Sequence, residues 1–241
     1  MVAALDLVQR ELVAANRILA NEGVLDTFGH VSMRHPEDAS RFFLSRSLAP
    51  ELVTAADIVE FGLDCQPVRR TDVRLYAERV IHGSIYRLRS DVEAVCHYHA
   101  PALMPFCVTD VALVAVSHLG ATMGRHVAVW DSRHDFGDTN LLVATDEQGT
   151  SLARALGPDW LVLMRRHGAT VAGRSLREVV FRSIYANQNA DILHRALVLG
   201  KIEPLTPGEV EAAGAINLQP LAIDRAWECW KARVPDQAAI K

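Results

Sequence analysis

The segment Val95-Cys96-His97-Tyr98-His99-Ala100-Pro101 sets two imidazoles two residues apart at the end of an apolar run. In a strand such residues project from the same face, so His97 and His99 can share one cation. A two-residue motif is common, and the plainer reading is a pair of histidines at a polar strand end. A third imidazole changes the balance. His167 follows the apolar stretch Trp160–Met164 and precedes Gly168, which permits a sharp turn. Alone it would be an ordinary turn histidine. Three imidazoles with a fourth position open match a catalytic divalent-metal site rather than a closed structural one.

Glu78 and His82 lie four apart in Val73–Leu88, a segment predicted to be helical, and so share a face. The helix runs into the histidine strand through Arg89-Ser90-Asp91, which lets the carboxylate approach a cation. Two other polar clusters interrupt apolar strands: Phe28-Gly29-His30-Val31-Ser32-Met33-Arg34 and Ser45-Arg46-Ser47. Both could bind an anion through arginine forks and hydroxyls, or be turns with a solvated arginine.

The elements that must position these groups follow from periodicity and caps. Residues 5–20 suit a first helix ended near Gly23. Short strands are expected at Phe42–Ser45, Ile58–Gly62, Val92–His99, Val111–Val116, Asn140–Ala144, Trp160–Met164 and Ala169–Ala172. Ser175 and Glu178 form a capping-box pattern for a helix over Leu176–Leu199, stopped by Gly200. Thr206-Pro207-Gly208-Glu209 opens a last helical region. This interleaving predicts a layered α/β/α domain around a mixed sheet. All 241 residues form one domain, with 201–241 a C-terminal helical extension.

Composition narrows the chemistry. Half of the residues are apolar, enough for a sizeable core, and no apolar run is long enough to span a membrane. The first residues carry Asp6, Glu11 and Glu22, so they read as an amphipathic helix rather than an export signal, and a cytoplasmic protein is expected. The net charge of −4 and the lack of a basic stripe argue against a nucleic-acid partner. The four cysteines are scattered without a CxxC pair, and Cys96 and Cys107 read as core residues. Lysine occurs only at positions 201, 231 and 241, far from the candidate site. A Schiff-base route is therefore poorly supported, and a metal is the better source of an electrophile.

Taken together, the glycine-x-valine-serine-x-arginine stretch from Gly29, the glutamate four before a histidine, the His97/His99 pair and His167-Gly168 before a capped helix resemble the class II aldolase/adducin family, over about residues 5–200. The resemblance implies a three-layer α/β/α sandwich around a mixed, mostly antiparallel sheet. It implies one divalent metal per subunit on His97, His99 and His167, with Zn²⁺ best suited to three imidazoles and Mn²⁺, Fe²⁺ or Co²⁺ as alternatives. It makes Glu78 the acid/base and implies a homotetramer with interface active sites, His118 being the candidate contributed to a neighbour.

Departures from the family's sugar-phosphate aldolases point to a substrate. Those enzymes have Gly-Asn where this chain has Gly29-His30, and a serine pair where it has Tyr76-Ala77. The branch resembled is that of decarboxylases acting on hydroxylated aromatic dicarboxylates, such as 3-hydroxy-2-methylpyridine-4,5-dicarboxylate or dihydroxyphthalate. The expected activity is decarboxylation of a hydroxylated aromatic carboxylate, with His30, Ser45, Arg46, Ser47, Tyr76, His82 and His118 as substrate-binding candidates. Within these, Arg46 and His30 are the groups expected to hold a second carboxylate. An aldolase acting on a non-phosphorylated hydroxy-carbonyl compound would use the same residues, while dehydratase or epimerase chemistry is compatible with them. A metal-free adducin-like interaction module is the alternative of another class.

Overall fold

The computed structural model describes residues 2–234, with side chains from residue 6 onward. Its centre is one seven-stranded sheet: β1 (His30–Arg34), β2 (Arg41–Ser45), β3 (Ile58–Gly62), β4 (Ala94–Tyr98), β5 (Ala128–Trp130), β6 (Leu161–Met164) and β7 (Gly168–Gly173). The order is β3-β2-β1-β4-β7-β6-β5. Only β5–β6 is parallel; the other five pairings are antiparallel. The mixed, mostly antiparallel sheet is as expected, and β4, carrying His97, lies in its middle.

Alternation along the strands divides the interior. Ala94, Cys96 and Tyr98 face one core layer, which also takes side chains from α1 (Val2–Asn21), α6 (Leu176–Leu199), α7 (Pro207–Asn217) and α8 (Pro220–Lys231). Val95 faces a second layer with α2 (Arg79–Leu88) and α5 (Asp146–Leu156). Two short helices, α3 (Met104–Val108) and α4 (Ser132–Phe136), complete the set. Period-two alternation thus puts His97 and His99 on the α2/α5 side. The helix over Leu176–Leu199 has the expected bounds, and the Ser175 hydroxyl accepts the Glu178 amide, a cap worth about 1 kcal/mol. The predicted last helical region forms as two helices, α7 and α8, while the end of the proposed extension, 235–241, lies outside the described residues.

Three expectations need correction. Val111–Val116 is not a strand: the Val116 amide donates to the Asn189 side chain, which donates in turn to the Val114 carbonyl, and Leu205 donates to the Ala115 carbonyl. Nor is Asn140–Ala144, where the Leu142, Val143 and Ala144 amides go to the side chains of Asn140, Glu78 and Gln148. Both are short apolar runs, but side chains and neighbouring loops took backbone groups that a ladder needs. The helix expected from Val73 begins only at Arg79, because the Arg74 carbonyl accepts from Ser47 and the Tyr76 hydroxyl donates to the Leu48 carbonyl. Two strands went unread: β5, of three residues, and β1, whose polar face is buried.

Candidate metal centre

Four side chains converge where β4, the start of β7 and the start of α2 meet: Glu78, His97, His99 and His167, with ligand atoms within 4.8 Å of one another. His97 is fully buried in the middle strand. His99 follows it just past the strand end. His167 sits in a tight turn, its amide bonded to the Met164 carbonyl, directly after Arg166 in the left-handed region (φ 61°). A Cβ on Gly168 would lie 2.4 Å from the Tyr98 carbonyl oxygen and 2.9 Å from the His99 ring. The missing side chain lets β7 close against β4 there.

The expected sharing of a helix face by Glu78 and His82 is corrected. Glu78 precedes the first residue of α2, and its carboxylate reaches into the cluster, with Oε1 3.4 Å from His167 Nε2 and Oε2 3.7 Å from His97 Nε2. The Val143 amide donates to Oε1. Burial raises the carboxyl above its ordinary pKa, against the pull of the Val143 amide and of His99. His82 lies one ring farther away, between His30 and Ser32.

The outer nitrogens of His97 and His99 have their own support. Thr170 Oγ1 donates to the Met164 sulfur, so its lone pair accepts from His97 Nδ1 at 3.2 Å. His99 Nδ1 donates to Asp26, 3.2 Å from either carboxylate oxygen. The Leu141 carbonyl stands beside the His167 ring, whose buried Nδ1 has no hydrogen-bond partner. With the protons of His97 and His99 on Nδ1, their Nε2 atoms face inward bare, 3.1 Å apart. Burial, aided by the neighbouring rings, drives His97 far below its usual pKa and lowers His167 to about 4. Neutral rings at His97 and His167, with Nδ1 anchored at His97 and His99, suit a divalent cation.

Asp26 and Thr170 were not read from the sequence. Asp26 accepts the Phe28 and Gly29 amides at 3.0 and 2.8 Å, so the Asp-x-x-Gly turn was a usable signal; Thr170 gave none. Burial pushes the Asp26 carboxyl up, but the His99 ring and the Phe28 amide outweigh it and leave its pKa lowered. Asp26→Asn keeps an oxygen for the two amides and loses the charge behind His99. We expect metal affinity to fall about 10–100-fold, read by competition with a chelating dye. Unchanged affinity would mean that Asp26 does not orient His99.

The other candidates divide. His30 is fully buried, its ring centroid 4.5 Å from Tyr76 and 5.2 Å from His97, and its Nε2 has no partner. Ser45 Oγ is also buried and unpartnered. Arg46 is tied to Asp57 at 2.6 Å and lines a cavity of about 430 Å³ with Arg69 and Arg70, to which no residue of the cluster contributes. Ser47 is exposed, and His118 is exposed against Asn217, outside the cluster. The Arg34 guanidinium is engaged within the fold: it donates to the carbonyls of Ala39, Tyr86, Arg89 and Val92 and lies 3.8 Å from the Glu93 carboxylate.

The chain is 32% identical over 243 residues to the decarboxylase tropJ of Talaromyces stipitatus, covering 92% of this chain and 91% of that one. It is 26% identical over 186 residues to a 3,4-dihydroxyphthalate decarboxylase of Arthrobacter keyseri, covering 73% of each. The fold superposes on L-fuculose 1-phosphate aldolase from Glaciozyma antarctica with a TM-score of 0.78 at 22% identity, covering 95% of this chain and 88% of the other. The class II aldolase and adducin N-terminal domain matches residues 10–194, and the chain belongs to that family.

Proposed function

We propose that this protein is a divalent-metal-dependent carbon–carbon lyase that decarboxylates a hydroxylated aromatic carboxylate. The observation carrying this reading is the convergence of three imidazoles, two of them anchored through Nδ1, on a buried carboxyl of raised pKa. The full-length likeness to a decarboxylase supports carboxy-lyase over aldehyde-lyase chemistry. Tyr76-Ala77 supports it too, since Ala77 has no donor and the Tyr76 hydroxyl already donates to the Leu48 carbonyl, leaving little to hold a phosphate.

His97, His99 and His167 would hold the cation, which when bound supplies a Lewis acid for a phenolic oxygen and its neighbouring carboxylate. Glu78 gives a proton to the ring carbon that bears the leaving carboxylate. The carbon–carbon bond then breaks, carbon dioxide departs, and the bonding pair restores the aromatic ring. Glu78 regains a proton from solvent. Its burial favours the protonated form that the first step needs. His30 Nε2 and Ser45 Oγ, buried without partners, are the groups proposed to meet a second carboxylate. The proposed assembly is a homotetramer in which exposed His118 can serve a neighbour's site.

The test is a panel under one metal loading, with hydroxylated aromatic mono- and dicarboxylates set against sugar phosphates and simple aldols. Carbon dioxide and aldehyde are assayed separately. Carbon dioxide from an ortho-hydroxy aromatic acid, faster than any aldehyde release, is the expected result. Faster cleavage of a sugar phosphate would overturn the substrate class.

A further inference from the structure

A buried chain of hydrogen bonds runs from the candidate site into the layer beneath α2. His30 Nδ1 is 2.7 Å from His82 Nε2, His82 Nδ1 is 2.6 Å from Ser32 Oγ, and Ser32 Oγ is 2.7 Å from the Tyr86 hydroxyl. His30, Ser32 and His82 have no exposure to solvent, and Tyr86 only 2%. The Arg34 guanidinium covers the Tyr86 ring at 4.7 Å and pins that residue through its backbone carbonyl. At the other end, His30 Nε2 is buried without a partner, on a ring flanked by His97 and Tyr76.

Such a chain can carry its hydrogens in two directions, and the place where the one unpaired hydrogen is left favours one of them. Among the described residues, Ser32 Oγ is the acceptor within reach of the Tyr86 hydroxyl, and the Val95 amide already faces the Tyr86 oxygen as a donor. If Tyr86 donates to Ser32, Ser32 donates to His82 Nδ1. The proton of His82 then sits on Nε2 and points at His30 Nδ1, and the proton of His30 sits on its own Nε2. The one hydrogen without a partner is then that on His30 Nε2, at the end of the chain beside His97, where a substrate can accept it. In the reverse direction it would be the Tyr86 hydrogen, sealed at the far end with nothing to accept it, at a cost of about 1–3 kcal/mol.

We infer that Tyr86, Ser32 and His82 are positioning residues that fix His30 as an Nε2–H donor facing the metal centre, so that the substrate group held there must be an acceptor such as a carboxylate oxygen. This assigns roles to two residues, Ser32 and Tyr86, that touch no substrate. It also explains why the Ser32 face of β1 is polar although buried. Its bearing on catalysis rests on the lyase reading above, whereas the tautomer itself does not.

The full chain, labelled with ¹⁵N-histidine, is measured by NMR with and without Zn²⁺, and His30→Asn assigns the signals. The protonated nitrogen of His30 is expected to be Nε2, with Nδ1 bare, in both samples. Ser32→Ala removes the donor to His82 and should give mixed or reversed His30 tautomers. In turnover it should raise KM roughly tenfold, the effect of losing one hydrogen bond to a charged group, at unchanged metal content. Tyr86→Phe, which keeps the ring and the stacking of Arg34, should move the tautomer in the same direction by less. A wild-type His30 protonated on Nδ1 would overturn the inference. So would activity losses in Ser32→Ala and Tyr86→Phe with unaltered nitrogen signals, because the hydroxyls would then be only structural. Failure of the lyase reading shows itself separately, as wild-type protein that releases no carbon dioxide but has the expected tautomer.

Discussion

Glu78→Gln is expected to lose turnover by about a hundredfold or more while keeping its metal and its fold. The amide is nearly isosteric with the carboxyl, and its oxygen can still accept the Val143 amide that Glu78 Oε1 accepts at 3.0 Å. The loop that runs into α5 therefore stays docked. What disappears is a group able to give and regain a proton beside His97 and His167, 3.7 and 3.4 Å away. A purely structural role for Glu78 predicts the reverse pattern, a lower melting temperature with near-normal kcat. Measuring kcat, metal content and thermal stability on one preparation separates the two. A variant with near-normal kcat would place the proton donor elsewhere.

The double variant His97→Ala/His99→Ala should retain no stoichiometric metal after dialysis, where the wild type retains about one ion per chain. Two of three inward nitrogens vanish, and the remaining His167 with Glu78 offers a poor site for any of the candidate ions. The fold should survive. Removing the His97 ring leaves Thr170 Oγ1 without its donor inside the sheet, a loss of about 1–3 kcal/mol, but it also removes two nitrogen lone pairs held 3.1 Å apart. A typical domain has 5–15 kcal/mol to draw on. Elemental analysis beside a thermal melt checks both halves. Full occupancy in the folded double variant would sink the assignment of the centre.

How much of this was legible before the fold was known depends on how local each signal was. His97 and His99 were legible because period two in a strand is a property of adjacent residues, and the strand placed both rings as expected. His167 was visible through Gly168, whose missing side chain the crossing of β7 and β4 requires. Glu78 was found with a faulty reason: it does not share a helix face with His82 but stands ahead of the helix, aimed by the Val143 amide. The segment His30–Arg34 misled because it was read as an anion-binding cluster or a turn with a solvated arginine, and not as a strand. Ser32 and Arg34 are buried and matched by partners on α2 and around its end, which only the tertiary structure supplies. Arg46 misled in the other direction, since nothing nearby in sequence announced that Asp57 would occupy it. Thr170 lies 73 residues from the ring it supports and carried no local mark at all.

Those separations have a meaning for biosynthesis. The bonds that orient the cluster join Asp26 to His99, His97 to Thr170 and Glu78 to Val143 across 73, 73 and 65 residues of chain. A nascent polypeptide that ends between residues 99 and 167 owns Glu78 and the His97/His99 pair but lacks the third imidazole. Loops of this length close slowly relative to local turns, so cation capture must follow the assembly of the sheet and cannot guide it. An ion that joins a finished structure acts on the way out of the native state, lengthening its lifetime, and leaves the speed of arrival there to the polypeptide alone.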